Sequence, residues 1–477
     1  MLPTLPVRAS FAPLAVKTLD WTDTTEALFA HFAASPWAML LDSANANHPD
    51  ARFDIIVANP IAMLKVYESH CDLTLVQQAE HINERIDADQ CPFALMQALT
   101  QALYPESKPS ILPFVGGALG AFSYDLGRKV EHLPSIATDD IPLPLAAIGF
   151  YDWALIKDNQ SNQWQLLHYL GDAALNAVFA ELNAARQAHT LKMKDFTLTS
   201  PFGCQISREA YNEKFAAVQA YLHSGDCYQI NLTQRFEAGY QGDEWQAYLA
   251  LRSANKGPFS AFIRLEEGSI LSISPERFLK LADGKVETKP IKGTQPRSSD
   301  IRQDAANAEH LRQSAKDRAE NLMIVDLLRN DIGRVASPGS VAVPKLFEIE
   351  SFPAVHHLVS TVTGELAPGL DAYDLLKAAF PGGSITGAPK IRAMEIIEEL
   401  EPSRRSIYCG SIGYISQDGK MDTSITIRTL AAVDGKLYCW AGGGVVADSV
   451  ADAEYQETFD KVSRILPQLE QTLGRKN

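Results

Sequence analysis

The chain has 477 residues, 46% of them hydrophobic, and carries a formal net charge of −15. This length allows a large buried core and two or three domains. The negative charge, without any run of lysine and arginine, excludes nucleic acid or an anionic membrane as the main partner. No segment has the ~18 apolar residues that a membrane-spanning helix needs. Six scattered cysteines and the lack of a signal peptide predict a reducing cytoplasm.

The first region, residues 1–200, is predicted to alternate short strands with helices. Residues 39–43 and 53–58 are predicted strands on either side of a polar loop. Residues 114–120 form a predicted glycine-rich turn in which chain segments approach closely. A helix over residues 173–188 and a polar linker at 197–201 are expected to close the region.

The second region, residues 201–470, begins with a predicted helix over 207–224 and a predicted strand over 228–236. Strand alternation sends Gln229 and Asn231 to one face, and such a polar face needs hydrogen-bond partners or a wet cavity. Further predicted strands are 259–264, 268–272, 355–363, 411–416, 424–432 and 436–440. Further predicted helices are 300–328, 388–400 and 453–469. The pattern predicts an α+β fold built on large, mostly antiparallel sheet.

Residues 290–297 (PIKGTQPR) place Lys292 among uncharged neighbours from Pro290 to Pro296. Strand signals end near 291, and Gly293 and Pro296 predict a tight loop. A lysine has an ordinary pKa of about 10.4, and burial or neighbouring cations can lower it enough to make the amine a nucleophile. The segment alone favours the alternative, a surface lysine that pairs with a phosphate or carboxylate.

Two acidic pairs have the i,i+3 spacing of one helix face, Asp317 with Glu320 and Glu454 with Glu457. Two such helices that meet could present several oxygens to a hard cation, for which Mg²⁺ is best suited. Solvated helix faces are the alternative in an acidic protein. Lys461, one turn beyond Glu457, fits a helix salt bridge or a second contact to a substrate anion.

Residues 380–390 (FPGGSITGAPK) run from a glycine-rich turn into a predicted helix, with Pro389 at its first position. Free amides at that N-terminus would bind an anion. The segment is not a P-loop, because no Lys-Ser/Thr pair follows Gly387 directly. On its own it is a weak signal.

Four further features favour plain structural roles when each is considered alone. His357 in a Val/Thr-rich strand fits a satisfied core histidine, and Arg428 fits a surface arginine. Glu276 fits a proton shuttle or an ion pair with Arg277. Three glycines at 442–444 allow backbone amides to approach a ligand, although a bulge would have the same pattern.

Taken together and in this order, these segments resemble the chorismate-utilising enzymes, which include anthranilate, aminodeoxychorismate, isochorismate and salicylate synthases. The resemblance covers nearly the whole chain and is densest from Gln229 to Lys461. The matching segments are residues 228–236, 274–278, 290–297, 317–335, 380–390, 410–414, 426–430 and 441–457. The resemblance implies large antiparallel sheets packed as a sandwich with flanking helices, and chorismate as the substrate.

Two positions distinguish the branches of this family. Isochorismate and salicylate synthases have a water-activating lysine where this chain has Gln229, so glutamine implies ammonia as the nucleophile. Anthranilate synthases have alanine where this chain has Lys292. The resemblance therefore implies the aminodeoxychorismate synthase component I branch, which makes 4-amino-4-deoxychorismate for p-aminobenzoate and folate biosynthesis. Anthranilate synthase component I and a non-catalytic tryptophan-binding homologue are the alternatives.

The resemblance also implies roles for individual residues. Lys292 would form a covalent adduct with chorismate, and Glu276 would transfer protons. Glu320 and Glu457 would hold Mg²⁺ with Asp317 and Glu454 in support. The residues implied to line the substrate site are Gln229, Thr294, His357, Ser384, Tyr408, Arg428, Gly443, Gly444 and Lys461. The role of His357 stays open, because the aminodeoxy product keeps its enolpyruvyl group.

The sequence contains no glutaminase signature, which would be a cysteine in a Gly-x-Cys-x-Gly elbow. Ammonia is therefore expected from solution or, as the resemblance implies, from a glutamine amidotransferase subunit in a heterodimer. The residues that resemble the family's tryptophan pocket are Leu41, Ser43, Arg52, Phe53, Pro258, Phe259 and Ser260. Asp42 stands where anthranilate synthases usually have glutamate, so regulation by tryptophan, a structural tryptophan and no ligand all stay open.

Overall fold

The structure is a computed structural model that describes residues 12–77, 80–87, 90–188, 194–351 and 355–474. Its strands are β1 (Ala15–Leu19), β2 (Met39–Asp42), β3 (Phe53–Val57), β4 (Ala62–Val66), β5 (His70–Gln77), β6 (Glu80–Asp87), β7 (Gly117–Phe122), β8 (Ala146–Tyr151), β9 (Trp153–Asp158), β10 (Gln163–His168), β11 (Thr197–Leu198), β12 (Gly203–Cys204), β13 (Gln229–Gln241), β14 (Phe259–Arg264), β15 (Ser269–Ser274), β16 (Arg277–Ala282), β17 (Lys285–Thr288), β18 (Ile291–Pro296), β19 (Ala342–Ser351), β20 (Val355–Glu365), β21 (Gly387–Ala388), β22 (Ser411–Ser416), β23 (Met421–Ile425), β24 (Thr429–Val433) and β25 (Lys436–Val445).

The helices cover the outer faces of the sheets and connect their strands. The α-helices are α1 (Thr25–Phe29), α2 (Pro92–Leu103), α3 (Asp172–Gln187), α4 (Arg208–Ser224), α5 (Glu244–Asn255), α6 (Ile301–Gln313), α7 (Ala315–Gly333), α8 (Ala372–Ala379), α9 (Lys390–Leu400), α10 (Ala451–Val462) and α11 (Leu466–Glu470). Short 3-10 helices occur at Tyr124–Lys129 and Gly383–Ile385. Within the described ranges no helix has both the length and the hydropathy of a membrane span.

Two large antiparallel sheets form the framework. One has 13 strands, with the main order β1-β10-β9-β3-β2-β14-β15-β24-β25-β13-β11. The other has 12 strands, with the main order β18-β20-β17-β16-β23-β22-β7-β8-β4-β5-β6. The prediction of an α+β fold with large antiparallel sheets is confirmed. Regions 1–200 and 201–470 share both sheets through the pairs β2–β14 and β7–β22, and the boundary near residue 200 stays a prediction.

The sandwich follows from the alternation of side chains along the strands. In β3, Ile55 and Val57 lie in a core that also contains Leu64 of the other sheet. Ile56, between them, points the opposite way and packs in a second core that contains Trp245 of α5. Because successive strand residues face opposite sides, one face of this sheet covers the second sheet and the other face is covered by helices.

The predicted glycine-rich turn at 114–120 is wrong from Gly117 onward, because that segment forms the buried strand β7. The expected close approach is confirmed. A Cβ on Gly117 would collide with the backbone of Ile415, and a Cβ on Gly120 would collide with that of Ala147. The glycines therefore permit strands to pack closely, and no turn is formed.

Four other predicted elements are divided or reassigned. The helix at 453–469 is α10 and α11, with residues 463–465 between them. The helix at 300–328 is two helices, because Ser314 accepts a hydrogen bond from the amide of Asp317 and caps the start of α7. The strand at 424–432 is β23 and β24, separated at Arg428, whose φ is 52°. The linker at 197–201 contains β11, which pairs with β13.

Candidate active site

The segment that carries Lys292 is a bulged edge strand, so the predicted tight loop is wrong. β18 pairs with β20, and the register shifts between Lys292 and Thr294. Gly293, between them, has a φ of 80°, which a residue with a side chain adopts only with strain. A Cβ there would lie 2.8 Å from Cγ of Asp317. Glycine thus allows this strand to contact α7, the helix of the first acidic pair.

Lys292, Ser384 and Glu276 form one hydrogen-bonded unit. Nζ of Lys292 donates to the carbonyl of Ser384 at 3.3 Å, and Oγ of Ser384 donates to Oε1 of Glu276 at 2.9 Å. Burial lowers the pKa of Lys292, Glu320 partly opposes this shift, and the charge of Lys461 adds to it. The alternative of a surface lysine paired with an anion is wrong.

Glu276 is a buried carboxyl, 6% exposed. Burial raises its pKa to about 7, although the hydrogen bond from Ser384 and the charge of Lys292 both act to lower it. The alternative of an ion pair with Arg277 is wrong. Arg277 instead pairs with Asp422 at 2.9 Å and with Asp50 at 2.8 Å. Glu276 can therefore donate or accept a proton near neutral pH.

The second acidic pair lies over the glycines at the end of β25. A Cβ on Gly443 would lie 2.8 Å from Oε1 of Glu457 and 3.1 Å from Oε2 of Glu454. The predicted helix salt bridge is confirmed, because Nζ of Lys461 is 2.8 Å from Oε1 of Glu457. Lys461 also donates to the carbonyl of Gly442 at 2.6 Å. Burial opposes ionisation of Glu457, but Lys461 outweighs it and leaves the pKa below its ordinary value.

The carboxylates on α7 and α10 have the character of a cation site. Burial is the main cause that raises the pKa of Glu320 and of Glu454, and their negative neighbours add to the increase. Oε2 of Glu454 is buried and has no hydrogen-bond partner within the described ranges. In the part of the chain that the structure describes, no three or more His, Cys, Asp or Glu side chains are arranged so that they could hold a metal ion by themselves. Mg²⁺ stays a prediction: an ion that keeps several waters would need few of these oxygens and would relieve the repulsion between the carboxylates.

Gln229 begins β13 and is 1% exposed. Its Nε2 lies so close to Gly444 that a Cβ on this glycine would collide with it. Its Oε1 is buried and has no partner among the described residues. A buried acceptor without a donor is costly, so this amide is available to a polar ligand. The expected polar face is otherwise satisfied, for example by the bond from Asn231 to the carbonyl of Ile385 at 3.0 Å.

His357 and Arg428 lie close to one another beside the bulge. Nδ1 of His357 is 2.9 Å from Oγ1 of Thr294. Burial, with the charge of Arg428 acting in the same direction, lowers the pKa of His357 to about 4. Arg428 is partly buried and its side chain has no hydrogen-bond or ion-pair partner among the described residues, so the expectation of a surface arginine is wrong. Its guanidinium is available to a carboxylate.

Tyr408 lies in the core and is 3% exposed. Its ring stacks on Trp440 with centroids 5.9 Å apart, and the guanidinium of Arg405 lies 5.9 Å from its centre. The sequence analysis missed Arg405 and its ion-pair partner Glu401. The available signal was their i,i+4 spacing at the end of a predicted helix.

A cavity of about 90 Å³ lies between the two sheets near the end of β2. It is lined by five of the seven predicted tryptophan-pocket residues, namely Leu41, Phe53, Pro258, Phe259 and Ser260. The other two point elsewhere: Ser43 donates to Asp54 at 2.5 Å, and Arg52 pairs with Asp158 at 2.9 Å. Binding of tryptophan here stays a prediction.

The profile of the chorismate binding enzyme family matches residues 38–467, and the chain belongs to this family. It is 58% identical over 457 residues to aminodeoxychorismate synthase component 1 of Klebsiella aerogenes, which covers 96% of this chain and 99% of that protein. It is 57% identical over 458 residues to the protein of the same name from Escherichia coli strain K12, which covers 96% of this chain and 98% of that protein. The crystal structure of anthranilate synthase component I from Streptococcus pneumoniae TIGR4 is similar, with a TM-score of 0.73 at 33% identity, covering 88% of this chain and 93% of that one.

Proposed function

We propose that this chain converts chorismate and ammonia to 4-amino-4-deoxychorismate, the precursor of p-aminobenzoate in folate biosynthesis. The observation that carries the proposal is the hydrogen-bonded unit of Lys292, Ser384 and Glu276. In this unit the same serine is hydrogen-bonded to a lysine whose pKa is lowered and to a carboxyl whose pKa is raised. The relatives named aminodeoxychorismate synthase component 1 support this branch of the family.

The basic groups of the site would orient the substrate dianion. Arg428 has no other partner among the described residues and would bind one carboxylate. Lys461 and the amides of Gly443 and Gly444 would contact the other end. The groups that would hold Mg²⁺ are the carboxylates of Glu320 and Glu457, supported by Asp317 and Glu454. When bound, the ion would neutralise the ring carboxylate of chorismate and help to fix its position.

The first chemical step forms a bond between Nζ of Lys292 and ring carbon C2. The neutral amine supplies the electron pair, the ring double bonds shift, and the bond from C4 to its hydroxyl breaks. Glu276 donates its proton, so the hydroxyl leaves as water. The products are a substituted ammonium on Lys292 and an ionised Glu276.

In the second step ammonia attacks C4. The bond between C2 and Lys292 breaks, and its electron pair returns the lysine to the neutral amine. Glu276 then removes a proton from the new C4 ammonium and is protonated again. The sum is chorismate plus ammonia giving aminodeoxychorismate plus water, and both side chains recover their starting states.

The buried environment prepares both groups for these steps. Burial disfavours the charged lysine, so more of Lys292 is a free amine than in water. A pKa of about 7 lets Glu276 serve as the acid in the first step and as the base in the second. Gln229 is neutral and cannot activate water as a base, which favours ammonia as the second nucleophile.

The ammonia would come from a separate glutamine amidotransferase subunit, because this chain has no glutaminase signature of its own. Such a subunit would raise the local concentration of ammonia at the site. In its absence, a high concentration of an ammonium salt is expected to support the reaction.

Product analysis tests the proposal. The purified chain is incubated with chorismate, Mg²⁺ and an ammonium salt. The products are then separated, and their masses are measured by mass spectrometry. We expect aminodeoxychorismate without release of pyruvate. Anthranilate with pyruvate would instead identify an anthranilate synthase, and tryptophan binding without chorismate turnover would indicate a non-catalytic homologue.

A further inference from the structure

We propose that the buried ion pair of Glu401 and Arg405 is a positioning device for the reaction. It ties the loop that carries Ser384 to the strand that begins with Gln229. The expected effect on turnover rests on the function proposed above, whereas the expected effect on the positions of Ser384 and Lys292 does not.

The pair is closed and fully buried. The side chain of Arg405 is 1% exposed and that of Glu401 is 5% exposed. Nε of Arg405 donates to Oε2 of Glu401 at 2.8 Å, and Nη2 donates to Oε1 at 2.7 Å. This two-point contact fixes the plane of the guanidinium.

The remaining donors of Arg405 reach two backbone carbonyls on different segments. Nη1 donates to the carbonyl of Ile385 at 3.1 Å, and Nη2 donates to that of Asn231 at 2.6 Å. Oε1 of Glu401 accepts from the backbone amide of Thr233 at 3.1 Å and from its hydroxyl at 2.7 Å. One ion pair therefore connects the segment at 383–386 with two alternate positions of β13, Asn231 and Thr233.

The loop held in this way contains Ser384, the centre of the catalytic unit. The carbonyl of Ser384 accepts from Lys292 and its hydroxyl donates to Glu276. Ile385 follows Ser384 directly, so a shift of the Ile385 carbonyl moves Ser384 as well. A displacement of about 1 Å at a reacting group can cost roughly 100-fold in rate.

Lysine cannot replace arginine in this role. The guanidinium offers a flat array of donors that reach Glu401, Ile385 and Asn231 together, whereas an ammonium is a compact group on a flexible stem. Arg405→Lys therefore keeps the charge but releases the carbonyl of Ile385. Substrate contacts proposed for Arg428 and Lys461 are not altered.

The neighbouring Arg404 provides a matched control. Its side chain is 5% exposed, and it pairs with Glu68 at 3.0 Å and Asp139 at 3.1 Å. It also donates to Ser135 at 2.9 Å. None of these partners belongs to the proposed site, and both carboxylates are more than half exposed. Arg404→Lys therefore disturbs a buried, ion-paired arginine without releasing the Ser384 loop.

The test compares kcat and KM for chorismate in Arg405→Lys and Arg404→Lys with those of the unchanged protein. We expect Arg405→Lys to lower kcat by roughly 10- to 100-fold with little change in KM, and Arg404→Lys to retain kcat. Equal kcat values in the two folded variants would overturn the proposal.

If Arg405→Lys does not fold, Asn231→Ala decides, because it removes the second donor to the Ile385 carbonyl and leaves no charge unpaired. An unchanged kcat in that variant would also overturn the proposal.

A second measurement separates this inference from the proposed function. The rate at which acetic anhydride modifies Lys292 is followed against pH by peptide mass spectrometry, without any substrate. Arg405→Lys should shift this profile and Arg404→Lys should not, even if the protein proves inactive with chorismate. An identical profile in all three proteins would contradict the positioning role.

Discussion

Glu276 shows how the fold changes the chemistry of one side chain. Its oxygens lie in the core, where ionisation loses the stabilisation that water gives, and this raises the pKa to about 7. Only Ser384 donates to it among the hydrogen bonds of the described side chains. Burial therefore has two effects: it lets this carboxyl carry a proton near neutral pH, and it lowers the stability of the folded state at higher pH, where the carboxyl is ionised.

We predict that Glu276→Gln makes the protein more stable at pH 8 while it abolishes turnover. The carboxyl titrates near 4.5 in the unfolded chain and near 7 in the folded one. Between these values the folded state binds more protons, so its stability falls as pH rises. Glutamine does not titrate. The free energy of unfolding of the variant, relative to that of the unchanged protein, should therefore rise by roughly 2–3 kcal/mol between pH 5 and pH 8. Urea unfolding of both proteins at pH 5 and pH 8 measures this difference. If the unfolding free energies of the two proteins changed equally with pH, the raised pKa of Glu276 would be contradicted.

We predict that Glu457→Gln weakens the response to Mg²⁺. The variant removes one charged oxygen from the group around Gly443, so the Mg²⁺ concentration for half-maximal activity should rise roughly 10- to 100-fold. Asp452→Asn is the matched control, because Asp452 is on the same helix but is exposed and pairs with Arg208 at 2.5 Å. A Mg²⁺ titration that is the same for both variants would exclude Glu457 as a ligand.

At the scale of elements, the bulge in β18 determines where Lys292 points. The bulge depends on the left-handed conformation of Gly293 and on the space that its missing side chain leaves for Asp317. The sequence showed a glycine between polar residues, which is also the pattern of a tight loop. Only the pairing with β20, a segment far away in the chain, distinguishes a bulged strand from a loop.

We predict that Gly293→Ala lowers kcat, whereas Gly284→Ala retains it. Gly284 has a φ of 73° and no atom within 4 Å of a built Cβ, so alanine there adds backbone strain alone. Both variants should lose about 1–2 kcal/mol of unfolding free energy. In Gly293→Ala the methyl group also meets Asp317 and displaces the bulge. Equal kcat values in the two variants, measured with saturating chorismate, would show that the bulge does not position Lys292.

Helices and strands were predictable where local signals were strong. The helix predicted from Ser207 begins as α4 with that serine as its cap, and the strands predicted at 259–264 and 411–416 have those bounds. The division of the helix at Ser314 was also signalled by a capping residue, but the apolar periodicity on either side concealed it. The contacts of Arg405 with the distant carbonyls of Asn231 and Ile385, and of Glu401 with the distant Thr233, are tertiary, and no local pattern records them.

At the scale of the molecule, the site lies where both sheets supply residues. β13 and β25 of the first sheet carry Gln229 and the glycines at 443–444, and β18 and β20 of the second carry Lys292 and His357. The family resemblance named these residues together, but composition and periodicity alone left each with a plain structural role. Strand order is set by long-range contacts, so the sequence pattern did not show that regions 1–200 and 201–470 share both sheets.

We predict that a fragment of residues 201–477 does not fold by itself. Removal of residues 1–200 takes β2 away from β14 and β7 away from β22. This exposes two central strand edges and the apolar core that the lost strands covered. The fragment should aggregate when expressed alone and recover activity when expressed together with residues 1–200. A monomeric fragment with native-like circular dichroism and chorismate turnover would contradict the prediction.

The covalent role of Lys292 is tested most directly by mass spectrometry of the protein mixed with chorismate and Mg²⁺ in the absence of ammonia. We predict a species heavier by one chorismate minus one water, with the addition on the peptide that contains Lys292, and its loss when ammonia is added. Lys292→Ala should show no such species and little aminodeoxychorismate formation. Unmodified Lys292 in a protein that goes on to form the product, or full activity of Lys292→Ala, would contradict the mechanism.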